Sequence, residues 1–183
     1  MNPCYIFLAD GFEEIEAVTP IDVLRRAGLE VITVSVSDSL RVTGAHSVPF
    51  MADTLIADLP ADAPAQWLIC PGGMPGATNL AACDKLTSML RRQFEAGGNI
   101  AAICAAPAVV LAPLGILDGR EATCYPGFEQ MCPDAIMKNQ RVVALPGLIT
   151  ANGPSSALPF ALAIAEATVG ADKAREVAQG MLC

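Results

Sequence analysis

Short apolar, strand-like runs alternate with helical segments along nearly the whole chain. Cys4–Ala9 is apolar throughout, as in a strand buried on both faces. Glu13–Ala27 follows, with Ile15, Val18, Val23 and Leu24 at helical spacing and a stop at Gly28. Leu29–Val36 reads as a β-branched strand, residues 40–52 as short hairpin strands, and Gln66–Cys70 as a buried strand ended by Pro71-Gly72-Gly73. Lys85–Ala96 is an amphipathic helix closed by Gly97-Gly98. Asn99–Ile103 is expected as the central strand and Ala106–Leu114 as the helix after it. Val142–Leu145 and Leu148–Ala151 are strands around Pro146-Gly147, and Ser155–Val169 and Asp172–Leu182 are two closing helices. Such alternation predicts a mainly parallel sheet with right-handed crossovers and helices on both faces. The expected fold is a doubly wound α/β sandwich, formed as one domain over residues 1–183.

Charge narrows the function classes. A net charge of −8 with only 11 Lys plus Arg argues against a nucleic-acid partner, because neutralising phosphates needs clustered basic residues. Apolar runs are broken by Gly, Pro or charges well before membrane-spanning length, so no membrane partner is expected. The start, Met-Asn-Pro-Cys, has no basic n-region and no cleavage-site pattern, and the cytoplasm is the expected location.

Seven cysteines occupy positions 4, 70, 83, 104, 124, 132 and 183. Their number is odd, their spacing irregular, and no Cys-x-x-Cys pair occurs, so neither a disulfide framework nor a zinc site is suggested. Most read as small buried hydrophobes. Cys104 differs because it stands where the Asn99–Ile103 strand turns into a helix. In a nucleophile elbow, small residues two before and two after the nucleophile let this strained turn close, and Ala102 and Ala106 fill those places. A cysteine at a helix N-terminus also feels the positive end of the dipole, which favours thiolate.

Ligands of open α/β sheets bind at the carboxyl ends of the strands, where two further loops meet the elbow. The first, Asp10-Gly11-Phe12-Glu13-Glu14-Ile15-Glu16, carries its carboxylates in the first helical turn. Glu13 and Glu14 read as charge decoration of that terminus. Glu16 shares a stripe with Phe12 and Val23 and faces partly inward, where desolvation raises a carboxyl pKa and suits it to proton transfer. The second loop, Pro71-Gly72-Gly73-Met74-Pro75-Gly76, offers backbone N–H groups as an oxyanion or phosphate nest and lacks the dinucleotide fingerprint. The one histidine, His46, lies in the peripheral hairpin and reads as a surface residue in a turn. Glu16 is therefore the proton-carrying partner the loops offer Cys104, and a carboxyl and a thiol sharing a proton titrate as a pair.

Gly11-Phe12-Glu13-Glu14-Ile15-Glu16, Pro71-Gly72-Gly73, Ala101-Ala102-Ile103-Cys104-Ala105-Ala106-Pro107 and Gly153-Pro154 together resemble the ThiJ/PfpI superfamily, in its branch of the parkinsonism-associated deglycase. The likeness runs over essentially the whole chain, including Arg25-Arg26-Ala27-Gly28 and Phe160-Ala161-Leu162-Ala163-Ile164. It implies a flavodoxin-like sandwich that forms homodimers. It implies that Cys104 is an oxidisable nucleophile, that Glu16 is a buried carboxyl hydrogen-bonded to its sulfur, and that Gly72, Gly73 and Ala105 supply oxyanion N–H groups. The same resemblance implies oxidation of Cys104 to a sulfinic acid held by Glu16, and glyoxalase or deglycase action on methylglyoxal and its adducts. No metal and no organic cofactor is implied.

Three departures from the pattern bear on the chemistry. Ala105 stands where protease-like members carry histidine, which argues against protease or amidase activity. Tyr125-Pro126 replaces a His-Pro step, and Asn152, before Gly153-Pro154, replaces a basic residue. His46 falls where relatives have an arginine near the dimer interface, so His46 of the partner subunit is expected to approach the Cys104 pocket, to which Tyr125, Asn152, Gly153 and Pro154 are also assigned. Two readings follow. In one, Cys104 adds to a small reactive carbonyl while Glu16 moves the proton. In the other, the protein is a redox sensor or stress-protective chaperone, an oxidant is its partner, and oxidation of Cys104 is the functional event. An inert relative with a buried cysteine is the bland remainder.

Overall fold

The structure is a computed structural model describing residues Met1–Cys183. Chain order runs β1 (Cys4–Leu8), α1 (Glu14–Arg26), β2 (Val31–Ser35), β3 (Arg41–Thr43), β4 (Pro49–Met51), β5 (Thr54–Leu55) and β6 (Trp67–Cys70). Then come α2 (Gly76–Ala81), α3 (Asp84–Glu95), β7 (Asn99–Ile103), β8 (Glu121–Ala122), β9 (Ile136–Met137), β10 (Val142–Leu145), β11 (Leu148–Ala151), α4 (Ala157–Val169) and α5 (Ala171–Gly180).

Seven strands form one sheet in the order β10-β11-β7-β6-β1-β2-β5, and only β10 runs antiparallel to its neighbour. The core order β2-β1-β6-β7-β11 is the flavodoxin-like arrangement, whose crevice lies where strand order reverses beside β1. The α/β fold expected from the alternation is thus what the chain adopts. Every residue of β1 is buried, because successive side chains feed opposite cores. Cys4, Ile6 and Leu8 pack with Val23 and Leu24 of α1 and Phe160 and Ile164 of α4. Tyr5 and Phe7 pack with Leu86 and Leu90 of α3 and with Val110 and Leu111. Across the first face, the Trp67 indole N–H donates to the Thr168 hydroxyl at 2.8 Å and ties β6 to the end of α4. No helix is long and apolar enough to cross a membrane.

Two expectations need correction. Ile15 and Val18 are 55% and 45% exposed, because α1 turns Glu16, Pro20, Val23 and Leu24 inward instead. The predicted helix over Ala106–Leu114 is a π turn at Pro107–Leu111 followed by a 3-10 turn at Ala112–Leu114. Pro113 has no N–H to give the Val109 carbonyl, so regular α-helical bonding cannot pass through it. The hairpin expected in residues 40–52 is present as β3 and β4, outside the main sheet. It is bound to the loop after β1 by Gly11 N–H to Thr43 O and Ala45 N–H to Phe12 O, each 2.8 Å.

Candidate active site

The loops after β1, β6 and β7 converge at the carboxyl edge of the sheet. At the end of β7 the chain turns through Cys104, whose φ of 63° lies in the left-handed region that side chains rarely adopt. Two hydrogen bonds fix this corner. The Cys104 N–H donates to Ala151 O at 2.8 Å, and the Tyr125 N–H donates to Cys104 O at 2.8 Å. Ala102 and Ala106 are fully buried on either side, and Cys104 itself is 7% exposed.

Glu16 enters from α1 and is fully buried. Its Oε2 accepts the Gly72 N–H at 2.9 Å, while Oε1 is buried without a hydrogen-bond partner. Gly72 is confined between the two reactive groups: a Cβ there would stand 2.6 Å from Cys104 Cβ and 2.8 Å from Glu16 Oε2. Gly73, at φ 86°, is pressed against the backbone of Gly11, Phe12 and Glu13. The Gly73 and Ala105 N–H groups are directed at the Cys104 sulfur. One assignment therefore changes. Gly72 is not free to hold an oxyanion, since its N–H is already committed to Glu16, which leaves Gly73 and Ala105 as the donors facing the sulfur.

Burial dominates the titration of this pair. It pushes the Glu16 carboxyl from 4.5 up to about 7, against the lowering contacts from Cys104 and the Gly72 N–H. It also pushes the Cys104 thiol up to about 12, helped by the Glu16 charge and opposed by the Gly73 and Ala105 N–H groups. The expected pull of a helix dipole toward thiolate is opposed here by burial, and the element after the elbow is a short π turn rather than an α-helix. A sulfur anion here requires Glu16 to receive the thiol proton, so the two groups act as one acid–base unit.

His46 lies at the hairpin tip with its side chain 70% exposed. Its Nδ1 is 3.0 Å from Glu14 Oε2 and 3.6 Å from Glu13 Oε2, and these carboxylates raise its pKa. Glu14 is more than decoration. Its Oε1 accepts the His46 N–H at 2.8 Å and the Val48 N–H at 3.4 Å, so one carboxylate closes the hairpin turn. Glu13, Glu14 and His46 place three ligand-type atoms within 4.8 Å of one another, a set able to approach a cation. Their mutual hydrogen bonds account equally well for the grouping.

Tyr125 is exposed, with its ring edge over Gly153; a Cβ on Gly153 would lie 3.3 Å from Tyr125 Cδ2. Asn152 turns away to accept the Ser156 hydroxyl at 2.7 Å, and Pro154 opens the short turn before α4. Beside Asn152 stands Arg141, whose Nε donates to Ser156 Oγ at 3.3 Å and whose Nη2 donates to Ser155 O. Arg141 precedes β10, which pairs antiparallel with β11, and only that hairpin register would have marked it in the sequence. Asn152, Thr123 and Cys124 line a surface cavity of about 220 Å³ next to the elbow.

Residues 3–167 match the DJ-1/PfpI family. Over 175 residues the chain is 37% identical to Protein DJ-1 homolog A of Arabidopsis thaliana, covering 96% of this chain but 44% of that longer protein. A Caenorhabditis elegans protein named glutathione-independent glyoxalase DJR-1.2 is 36% identical over 163 residues, covering 88% of this chain and 85% of that one. The structure of oxidised Toxoplasma gondii DJ-1 superposes with a TM-score of 0.96 at 39% identity, covering 100% of this chain and 98% of that one. In sequence and in fold, the chain belongs to the DJ-1/PfpI family.

Proposed function

We propose that the protein is a stress-response enzyme that removes small reactive carbonyls through Cys104 and Glu16. The observation that carries this reading is the buried pair itself: a thiol on a left-handed corner facing a carboxyl whose Oε1 has no other partner. Transfer of the thiol proton to Glu16 exposes a sulfur nucleophile to an α-oxoaldehyde. As the C–S bond forms, the carbonyl oxygen gains charge within reach of the Gly73 and Ala105 N–H groups, and Glu16 returns the proton to it. The product of this step is a hemithioacetal on Cys104. The likeness to a nematode protein named as a glutathione-independent glyoxalase supports the same substrate class. Methylglyoxal depletion tests the reading: wild type is expected to consume it, and Cys104→Ser and Glu16→Gln are each expected to lose at least about 100-fold, the scale of a nucleophile and its proton carrier. Full activity in either variant overturns it.

A second reading, that oxidation of Cys104 is the event, is favoured by the same unpartnered Glu16 Oε1. A protonated Oε1 is placed to hold an oxygen added to the sulfur, and the Toxoplasma relative was solved oxidised. Mass spectrometry of Cys104 after mild peroxide separates the readings, since only this one requires Glu16→Gln to alter how far oxidation proceeds while carbonyl turnover is absent.

The protein is further proposed to act as a homodimer. Ile15 and Val18 on α1 and Val48 and Met51 on the hairpin are exposed apolar side chains, the composition of an interface core. His46 of the partner subunit would then approach the site across that face.

A further inference from the structure

The surface cavity of about 220 Å³ next to the elbow has no part in the chemistry of Cys104 and Glu16. Its place is set by the two hydrogen bonds that anchor Cys104. Tyr125 and Ala151 hold the Cys104 backbone, and their immediate chain neighbours, Cys124 and Asn152, line the cavity. The cavity wall therefore begins one residue from each anchor of the nucleophile.

The hydrogen bonds already made around this wall decide what it can still offer. Arg141 Nε can only donate, and it bonds Ser156 Oγ at 3.3 Å. The Ser156 hydroxyl proton therefore goes to Asn152 Oδ1, at 2.7 Å, and the Asn152 amide N–H groups are left for the cavity. Asn139, exposed on the same lining, adds a second amide. Acceptors stand beside these donors. Glu129 accepts the Gly127 N–H with Oε2 at 2.7 Å and keeps Oε1, and Thr123 Oγ1 donates to Gln140 O at 3.0 Å and keeps its lone pairs.

Donors and acceptors side by side suit hydroxyl groups, which do both. Charge argues against an anionic ligand. The cation of the lining, Lys138, is paired with Glu121 at 2.7 Å, and Glu129 adds a carboxylate that would repel a phosphate or a carboxylate. Methylglyoxal has no use for such a lining, because its methyl group neither donates nor accepts.

We propose that this cavity is a subsite for the neutral, hydroxylated tail of sugar-derived α-oxoaldehydes, whose aldehyde end meets Cys104. The Asn152 amide donates to one tail hydroxyl, and Glu129 Oε1 accepts from another. The subsite rests on the carbonyl reading of Cys104 and adds to it a preference for larger, polyhydroxylated substrates.

The probe is 3-deoxyglucosone, an α-oxoaldehyde with a neutral polyhydroxyl tail, and methylglyoxal is the reference without one. Consumption of both is measured for wild type, Asn152→Asp and Asn139→Trp. Asn152→Asp keeps the acceptor for Ser156 and removes the amide donor, while Asn139→Trp places a bulky ring on the exposed part of the lining. Wild type is expected to consume both aldehydes. Each variant is expected to lower the ratio of kcat/KM for 3-deoxyglucosone to that for methylglyoxal by at least about tenfold, mainly through KM. Loss of folded protein cannot imitate this result, since unfolding removes both activities together. Methylglyoxal consumption with the ratio unchanged in both variants overturns the subsite and leaves the carbonyl reading standing. Consumption of neither aldehyde by wild type overturns the carbonyl reading and the subsite with it.

Discussion

The Gly72 N–H donates to Oε2 of Glu16 across 2.9 Å, so this amide of the loop after β6 is committed to the carboxyl, and its neighbour Gly73 keeps the N–H that faces the sulfur. Gly72 itself passes so close to the elbow that a methyl group has no place. A Cβ on Gly72 would meet Cys104 Cβ at 2.6 Å and Ile103 O at 2.8 Å.

Gly72→Ala is therefore expected to separate Glu16 from Cys104. Overpacking of this kind costs about 1–3 kcal/mol. Carbonyl consumption should fall by at least about tenfold, because a small displacement of reacting groups is expensive. Thermal unfolding and methylglyoxal depletion, run side by side, check both halves. A variant with wild-type stability and rate would show that the loop can yield.

Glu16 imposes a pH dependence on stability. Its pKa is raised from 4.5 to about 7 in the folded state, so above 4.5 the unfolded chain releases a proton that the native state retains. Stability is then lost as pH rises from about 4.5 to about 7 and is level beyond, by about 3 kcal/mol in total. Glu16→Gln keeps an acceptor for the Gly72 N–H and removes the titration. Urea unfolding at pH 4.5 and pH 8 should show wild type losing about that much more than the variant. Parallel profiles would exclude a proton on buried Glu16.

Alkylation of Cys104 should follow the carboxyl rather than the thiol. Below about pH 7 both groups are protonated and the sulfur is quiet; as Glu16 loses its proton it becomes able to accept the one on sulfur. Iodoacetamide reaction rates at Cys104 are expected to rise through about pH 7 and then level, well below the pH at which the thiol itself ionises. In Glu16→Gln the step near pH 7 should vanish. A wild-type rate that keeps climbing in proportion to hydroxide would separate the two groups.

The hairpin makes a structural prediction. Glu14 Oε1 accepts two backbone N–H groups of the turn, and a Cβ on Gly44 would collide with that carboxylate. Glu14→Ala should free the His46 and Val48 amides, raise their hydrogen exchange at least about tenfold, and cost about 1–2 kcal/mol. His46→Ala leaves the two backbone bonds in place and should change exchange far less. Equal effects would assign the clamp to the imidazole instead.

What the sequence made legible follows from local rules. The buried strands read clearly because β1, β6, β7 and β11 are apolar on both faces, and Val142–Leu145 and Leu148–Ala151 match the structure to the residue. Cys104 was visible because an elbow needs small neighbours, and Glu16 because it shares a helical stripe with Phe12 and Val23. Apolar spacing failed at Ile15 and Val18, since apolar residues at helical spacing do not by themselves say which face of α1 meets the sheet. The commitment of Gly72 to Glu16 and the position of Arg141 beside Ser155 and Ser156 depend on register between distant strands.

The main chain of Cys104 is anchored on both sides, its N–H to Ala151 and its carbonyl to Tyr125. An adduct or an oxygen on the sulfur therefore changes the charge and bulk of one side chain while the backbone corner stays where neighbouring strands hold it. On either proposed reading, chemical history would accumulate at that atom rather than spread as distortion. A modified molecule would keep its shape, and any partner able to tell it from a fresh one would have to read the sulfur itself.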